Sequence, residues 1–316
     1  LARLGDGSLL RSLLVFKYGN LLMYIVCLLV IYAILRRYSS ERAVQGLLAF
    51  AWNPLVLLEA HVQGHNDLYM VAPMLLALWA WERKHYSLTI ALLAVAGLVK
   101  YVPFLLIPAT LALLWNRLPR PVWGRTVLQG MLLSLLLIAL ALAPLWPGKG
   151  WGVLKQMGLG HHSITVWLVL TLQLVLKSGA FAVGTWVMRL AFAAVYIWQL
   201  MRSFRQDASP AQTFHRILYA WLLLGALAFG YWYIVWLVAL VSLLPLENTR
   251  LRTIAFSWSG LMSVAFYTFG SGLDQILTIQ GFYSVAILIV FALPVLLTYR
   301  HGSREHTKLH LVRQYH

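Results

Sequence analysis

Acidic residues are scarce in this chain: nine Asp and Glu stand against 25 Lys and Arg, a net charge of +16 over 316 residues. That excess raises nucleic-acid binding as a function class, but such binding needs basic stripes on a soluble domain. Here the Lys and Arg punctuate apolar runs. In that setting they are topology signals first, and anionic lipid or a phosphate-bearing ligand can share their charge. Cys27 is the sole cysteine, so no intrachain disulfide can form and cysteine usage says nothing of the compartment. No Gly-rich nucleotide cradle and no Gly-x-Ser-x-Gly turn occurs, which leaves a cytoplasmic nucleotide-sugar donor unsupported. The chain starts at Leu1 rather than Met, without a short apolar segment and cleavage site; a cut is expected there, not a signal peptide.

What is present in abundance is apolar surface. The chain is 61% hydrophobic and 11% charged, with a mean hydropathy of +0.77, far from the roughly 45–50% apolar and 25% charged profile of soluble domains. Runs such as 21–35, 131–145 and 284–297 lack the period-two alternation of outer-membrane strands. The fold class is therefore all-α, a polytopic transmembrane helical bundle forming one membrane domain over 1–316. Spans are predicted near 13–35, 43–58, 68–81, 87–99, 101–115, 126–146, 180–201, 216–230, 232–245, 253–269 and 281–299. Several fall short of the ~20 residues that cross a ~30 Å hydrocarbon core, which predicts short or broken helices near the outer face, sheltered by neighbours.

Basic clusters at Arg36, Arg37 and Arg42, at Arg83 and Lys84, and at Arg117, Arg120 and Arg125 mark alternate loops, which assigns them to the cytoplasmic side and the 59–67 loop to the outer side. Residues 164–177 are read as re-entrant or interfacial, because a crossing there would turn Arg202, Arg205, Arg216 and the basic tail 300–316 outward. No internal repeat pairs the halves of the chain. Residues 204–213 read as a solvated connector, and the dispersed His of the cytoplasmic tail do not make a metal tract.

Glu59, His61, His65 and Asp67 fall together between two apolar segments. Ionisable groups near lipid are expensive, at least ~2.5–3.5 kcal/mol at a bilayer centre on insertion scales, so such a cluster is a functional-site hypothesis. Gly64 permits a tight turn, and Asn66 and Asp67 can cap the next helix. Capping leaves Glu59, His61 and His65 unexplained, and their convergence favours a ligand site. No helix is expected to fix both His on one face and no zinc spacing is matched, so no metal or other cofactor is assigned.

Lys100 stands before Tyr101-Val102-Pro103, where proline breaks the helix. Its ammonium either snorkels to the headgroups or holds a phosphate as a point charge, with backbone N–H groups of the following half-helix assisting. Arg189 lies about ten residues into its span, predicting an inward orientation with Asp67 or Asp274 as partner. The outer loop 147–163 carries Lys149, Lys155, His161 and His162, a set suited to phosphate or to anionic headgroups. Tyr231-Trp232-Tyr233-Ile234-Val235-Trp236 reads as an interfacial aromatic belt or as faces for a sugar ring.

Asn53-Pro54, then Gly64-His65-Asn66-Asp67, Lys100-Tyr101-Val102-Pro103 with Pro108, and Tyr233-Ile234-Val235-Trp236 resemble, in that order, membrane glycosyltransferases of the C superfamily. The polyprenyl-phosphate-mannose-dependent branch is the nearest in pattern, and the likeness runs over residues 8–110. The resemblance implies transfer of a hexose, most plausibly mannose, with inversion, from a polyprenyl-phosphate carrier to a glycan or glycolipid acceptor on the outer face of a bacterial plasma membrane. The candidate substrate-binding residues are Glu59, His61, His65, Asn66, Lys100, Tyr101, His161, His162, Arg189, Tyr233 and Trp236, of which His65, Asn66, Lys100, Tyr101, Tyr233 and Trp236 lie in those motifs. Such enzymes carry their principal acidic residue in a first outer loop, expected upstream of Leu1; Asp67 is then an auxiliary residue, and the isolated 316-residue chain is expected to lack turnover. The rival readings are a secondary transporter, disfavoured by the missing repeat, and a non-catalytic subunit that binds lipid carriers.

Overall fold

The computed structural model describes residues 8–143, 163–176, 178–205, 209–245, 247–269, 285, 287–292 and 294–296. Among these every regular element is helical, as the composition requires: where water is scarce, each backbone N–H must find its carbonyl within the same segment.

Helix α1 (Leu9–Leu35) begins on Ser8, whose side chain accepts from the Arg11 backbone N–H, and runs about 40 Å at 1.5 Å per residue. After a short turn comes α2 (Ser40–Ala51), capped by Ser39. Asn53-Pro54 then breaks the path. Proline opens α3 (Pro54–Leu57) while Asn53 Oδ1 accepts from the N–H groups of Leu55 at 3.0 Å and Val56 at 3.4 Å. The Asn53 amide donates at 3.0 Å to Ser257 Oγ, which ties the break to a helix 204 residues away. The expected 43–58 span is thus two arms bent by 57°. Its second arm ends in a π-helical turn, Leu58–Gln63, closed by Gly64 in the left-handed region at φ 77°.

Helices α4 (Asp67–Glu82) and α5 (Tyr86–Val99) form an antiparallel pair, with α4 packed on α1 and α5 on the later helix Arg120–Leu142. At Lys100 the chain leaves the helix, re-enters through a 3-10 turn (Val102–Leu105) holding Pro103, and continues as α6 (Leu106–Arg117). Helices α7 (Arg120–Leu142) and α9 (Ala180–Arg205) are, with α1, long and apolar enough to cross a membrane. They turn outward the leucines that lipid would cover, including Leu128, Leu132 and Leu135 on α7 and Leu190 on α9. Between them, α8 (Ile164–Gln173) is about 15 Å long, half a hydrocarbon core. Helix α10 (Pro210–Ala220) loosens into a second π turn (Trp221–Gly225); a 3-10 turn (Tyr231–Tyr233) opens α11 (Ile234–Val241), and α12 (Glu247–Phe269) follows.

Helix α11 is the axis of the core, since all eight of its residues are buried, with α4, α10 and α12 around it. Close approach to α2 depends on Gly46, where a Cβ would fall 2.1 Å from Leu35 Cδ1 and 2.6 Å from the Ser242 carbonyl oxygen. Small residues let backbones meet where lipid removes the hydrophobic drive for association.

The two ends of the bundle differ in charge. At one end Arg37 donates to the Glu82 carbonyl at 3.2 Å, Arg117 lies 5.0 Å over Trp81, and Arg120 lies 3.3 Å over Trp115, so all three basic loops share one surface. The other end holds the start of α4, the end of α5 and the start of α11.

Candidate functional site

Two breaks and one aromatic turn meet at that second end. The π turn after Asn53-Pro54 carries Glu59 into the interior, where it is 2% exposed. Its Oε2 lies 2.5 Å from His65 Nδ1. The His65 ring in turn stacks on Trp232, with centroids 4.1 Å apart and planes 15° from parallel. Gln63 Nε2 donates to the Tyr231 hydroxyl at 2.9 Å, so the loop after α3 is fastened twice to the turn before α11.

Asp67 opens α4, yet its carboxylate does not cap it, and the Asn66 side chain makes no capping bond either. Instead Asp67 Oδ1 accepts from Lys100 Nζ at 2.7 Å and from Trp236 Nε1 at 2.5 Å. The capping reading of Asp67 therefore gives way to a buried ion pair. The snorkelling reading of Lys100 gives way with it: its side chain is 18% exposed, against 2% for Asp67. Its ammonium lies 4.5 Å from the Tyr233 ring and 5.4 Å from the Trp236 ring, and these two rings stack at 4.8 Å. A cation over aromatic faces gains ~0.5–2 kcal/mol, more as water is removed. Burial pulls the Lys100 ammonium below the ordinary lysine range, and the Asp67 carboxylate pulls it back up.

Oε1 of Glu59 and Oδ2 of Asp67 are buried and find no hydrogen-bond donor among the described residues. A buried acceptor without a donor costs ~1–3 kcal/mol, more when charged, which a ligand bearing hydroxyl groups would relieve. No group of three or more His, Cys, Asp and Glu converges as metal ligands among the described residues.

The remaining candidates divide. Tyr101, next to Lys100 in the chain, is exposed and lies edge-on to Trp221 with centroids 6.1 Å apart. Asn66 is exposed beside the cluster. His61 points away from it: the ring lies edge-on to Tyr24 at 5.0 Å, and the His61 carbonyl accepts from Lys17 Nζ at 2.6 Å, as does that of Val62. Arg189 corrects the expectation of an inward arginine. It lies on the exposed face of α9 with its guanidinium 5.5 Å from the Trp186 ring, and Asp67 is already held by Lys100. Helix α9 buries its Gly184, Thr185 and Met188 side instead. His161, His162 and Asp274 lie outside the described residues.

Asn20 is missing from the sequence candidates, and Trp232 enters them only as part of the aromatic turn. Asn20 is fully buried in α1, and neither atom of its amide has a partner among the described residues. It lies next to the loop turn, its Nδ2 3.7 Å from where a Cβ on Gly64 would sit. A lone Asn in an apolar run is a signal of its own, since polar groups in spans face the protein interior.

Residues 1–117 match the family model for the alpha-(1->6)-mannopyranosyltransferase N-terminal domain. That match supports a mannosyl-transferring glycosyltransferase, and it covers Glu59, His65, Asp67 and Lys100 but not the Tyr231–Trp236 turn. No curated protein and no solved structure matches the chain.

Proposed function

We propose that the chain takes part in transferring mannose from a polyprenyl-phosphate carrier to a glycan or glycolipid acceptor, at the face of the membrane away from the basic loops. One observation carries this reading: Lys100, paired with Asp67, is buried under the stacked faces of Tyr233 and Trp236. A phosphate leaving group needs a fixed positive charge, which acts more strongly where water is excluded. Sugar rings lie against aromatic faces while their hydroxyls seek acceptors, and the unpaired oxygens of Glu59 and Asp67 are such acceptors.

In this scheme the bond between the anomeric carbon and the carrier phosphate oxygen breaks, and the phosphate departs against Lys100. An acceptor hydroxyl forms the new glycosidic bond and gives its proton to a carboxylate. Asp67 holds Lys100 in place as a positioning residue, and the Glu59–His65 pair braces Trp232 at the rim.

The test is mannosyl transfer from polyprenyl-phosphate mannose in membranes bearing the full-length protein, since the 316-residue chain alone is expected to lack turnover. Lys100→Met is expected to reduce transfer at least a hundredfold, the scale of losing one electrostatic stabiliser. Because that variant also disturbs a buried pair, Trp232→Leu is measured beside it and is expected to raise the half-saturating donor concentration while folded protein persists. Wild-type transfer by folded Lys100→Met protein sinks the proposal.

A further inference from the structure

At the opposite end of α1 and α4 lies a cleft of about 670 Å³ lined by Tyr32, Ala33, Arg36, Arg37, Arg83 and His85. Helix α4 separates it from Asp67 by about 24 Å of rise, so it is no part of the site above. Every titratable liner apart from the Tyr32 phenol is basic, and no carboxylate pairs with any of them among the described residues. The Arg37 guanidinium reaches only the Glu82 backbone carbonyl, Arg36 lies 5.7 Å from the Tyr32 ring, and Arg83 lies 4.4 Å from the Trp79 ring. The Glu82 carboxylate accepts from the Tyr38 hydroxyl at 3.0 Å.

Two further features show a shaped site rather than a random crowd of charge. The turn between α4 and α5 holds Lys84 in the left-handed region at φ 63°, the one non-glycine residue there among those described. Four backbone bonds pin that turn, from Arg83 to Trp79 and Ala80, from Lys84 to Trp81 and from His85 to Ala80. Left-handed backbone costs a non-glycine residue ~1–2 kcal/mol, so the surrounding bonds enforce the turn that brings Arg83 and His85 into the same cleft lining as Arg36. Below the cleft, Leu22, Ile25, Leu29 and Tyr32 are exposed along one face of α1. Their spacing of three and four residues makes one continuous stripe that ends a turn before Arg36.

We propose that this cleft binds an anionic glycerophospholipid, its phosphate held by Arg36, Arg83 and His85 and one acyl chain laid along the α1 stripe. Guanidinium groups match phosphate oxygens in paired hydrogen bonds, and a stripe of exposed apolar side chains leading from the charges fits a lipid rather than a free anion.

The experiment titrates phosphatidylglycerol and, separately, phosphatidylcholine into the purified full chain in neutral detergent, reading bound lipid by native mass spectrometry. Phosphatidylglycerol is expected to bind in preference. Arg36→Gln with Arg83→Gln should weaken it roughly thirtyfold, the weight of two headgroup-level cations. Ile25→Asn, which interrupts the stripe and leaves the charges, should shorten lipid retention, while Arg205→Gln on α9 should do neither. The unliganded melting midpoint of each variant checks that it is folded. Equal binding of both lipids, unchanged binding by the double variant, or equal loss with Arg205→Gln overturns the site. Displacement of the lipid by inorganic phosphate alone also overturns it, because the cleft then reads a free anion.

Discussion

Asp67 and Lys100 offer the sharpest test, because the structure fixes what each leaves behind when the other is removed. In Asp67→Leu the Lys100 ammonium, 18% exposed in the wild type, loses its counter-charge. Removing one partner of a buried pair costs ~3–5 kcal/mol. The Tyr233 and Trp236 faces meet the ammonium in the wild type and in the variant alike, so they offset none of this and a loss of about 3–5 kcal/mol is expected. Lys100→Met strands the Asp67 carboxylate instead, softened by the bond from Trp236 Nε1, worth ~1.5–3 kcal/mol to a charged acceptor. The double variant Asp67→Leu with Lys100→Met removes both charges and their desolvation cost, leaving only the Trp236 N–H without an acceptor at ~1–3 kcal/mol. It should therefore lose less than the sum of the single variants by at least about 2 kcal/mol. The assay is equilibrium unfolding in mixed micelles of the wild-type protein, both single variants and the double variant. Single losses under ~1 kcal/mol that simply add, as for an exposed surface pair, would refute the buried-pair argument.

Trp236→Phe keeps the ring against Lys100 and deletes the donor to Asp67; it should cost ~1–3 kcal/mol in the same unfolding assay and weaken mannosyl transfer less than Lys100→Met. Gly64→Ala meets open space, with only Asn20 Nδ2 nearby at 3.7 Å, so its cost is the left-handed backbone alone, ~1–2 kcal/mol. Gly46→Ala faces the reverse situation, an ordinary backbone with Leu35 and the Ser242 carbonyl in the way. It should shift α2 from α11 and lower the melting midpoint, with overpacking of ~1–3 kcal/mol; retention of the wild-type midpoint argues against that helix contact.

The fold was largely legible because its two signals are local. Apolar run length gave helices, and Lys100-x-x-Pro103 gave a break where proline withholds an N–H, whatever surrounds it; the bend at Asn53-Pro54 lay hidden inside what read as one span over 43–58. The candidate site was legible only as separate strings. Glu59, His65 and Asp67 were visible as costly groups beside lipid, and Tyr233 and Trp236 as an aromatic turn, but which string met which was not. Arg189 shows the limit most plainly. Its depth within a span predicted an inward face, yet the helix rotation was set by Gly184, Thr185 and Met188 packing inward, and the cation remains outside against Trp186.

The sequence by itself determined that the chain is an all-helical membrane protein, that a helix breaks at Lys100-x-x-Pro103, and which short segments carry the ionisable groups. All of these follow from solvation and backbone chemistry acting over a few residues. Only the tertiary structure decided that Asp67 holds Lys100 rather than capping its own helix, that Trp236 donates to the same oxygen from 169 residues away, and that His65 rather than His61 joins Glu59. A side chain's partner is fixed by how helices rotate and pack against one another, and that is settled by the whole set of contacts together, not by any one stretch of chain.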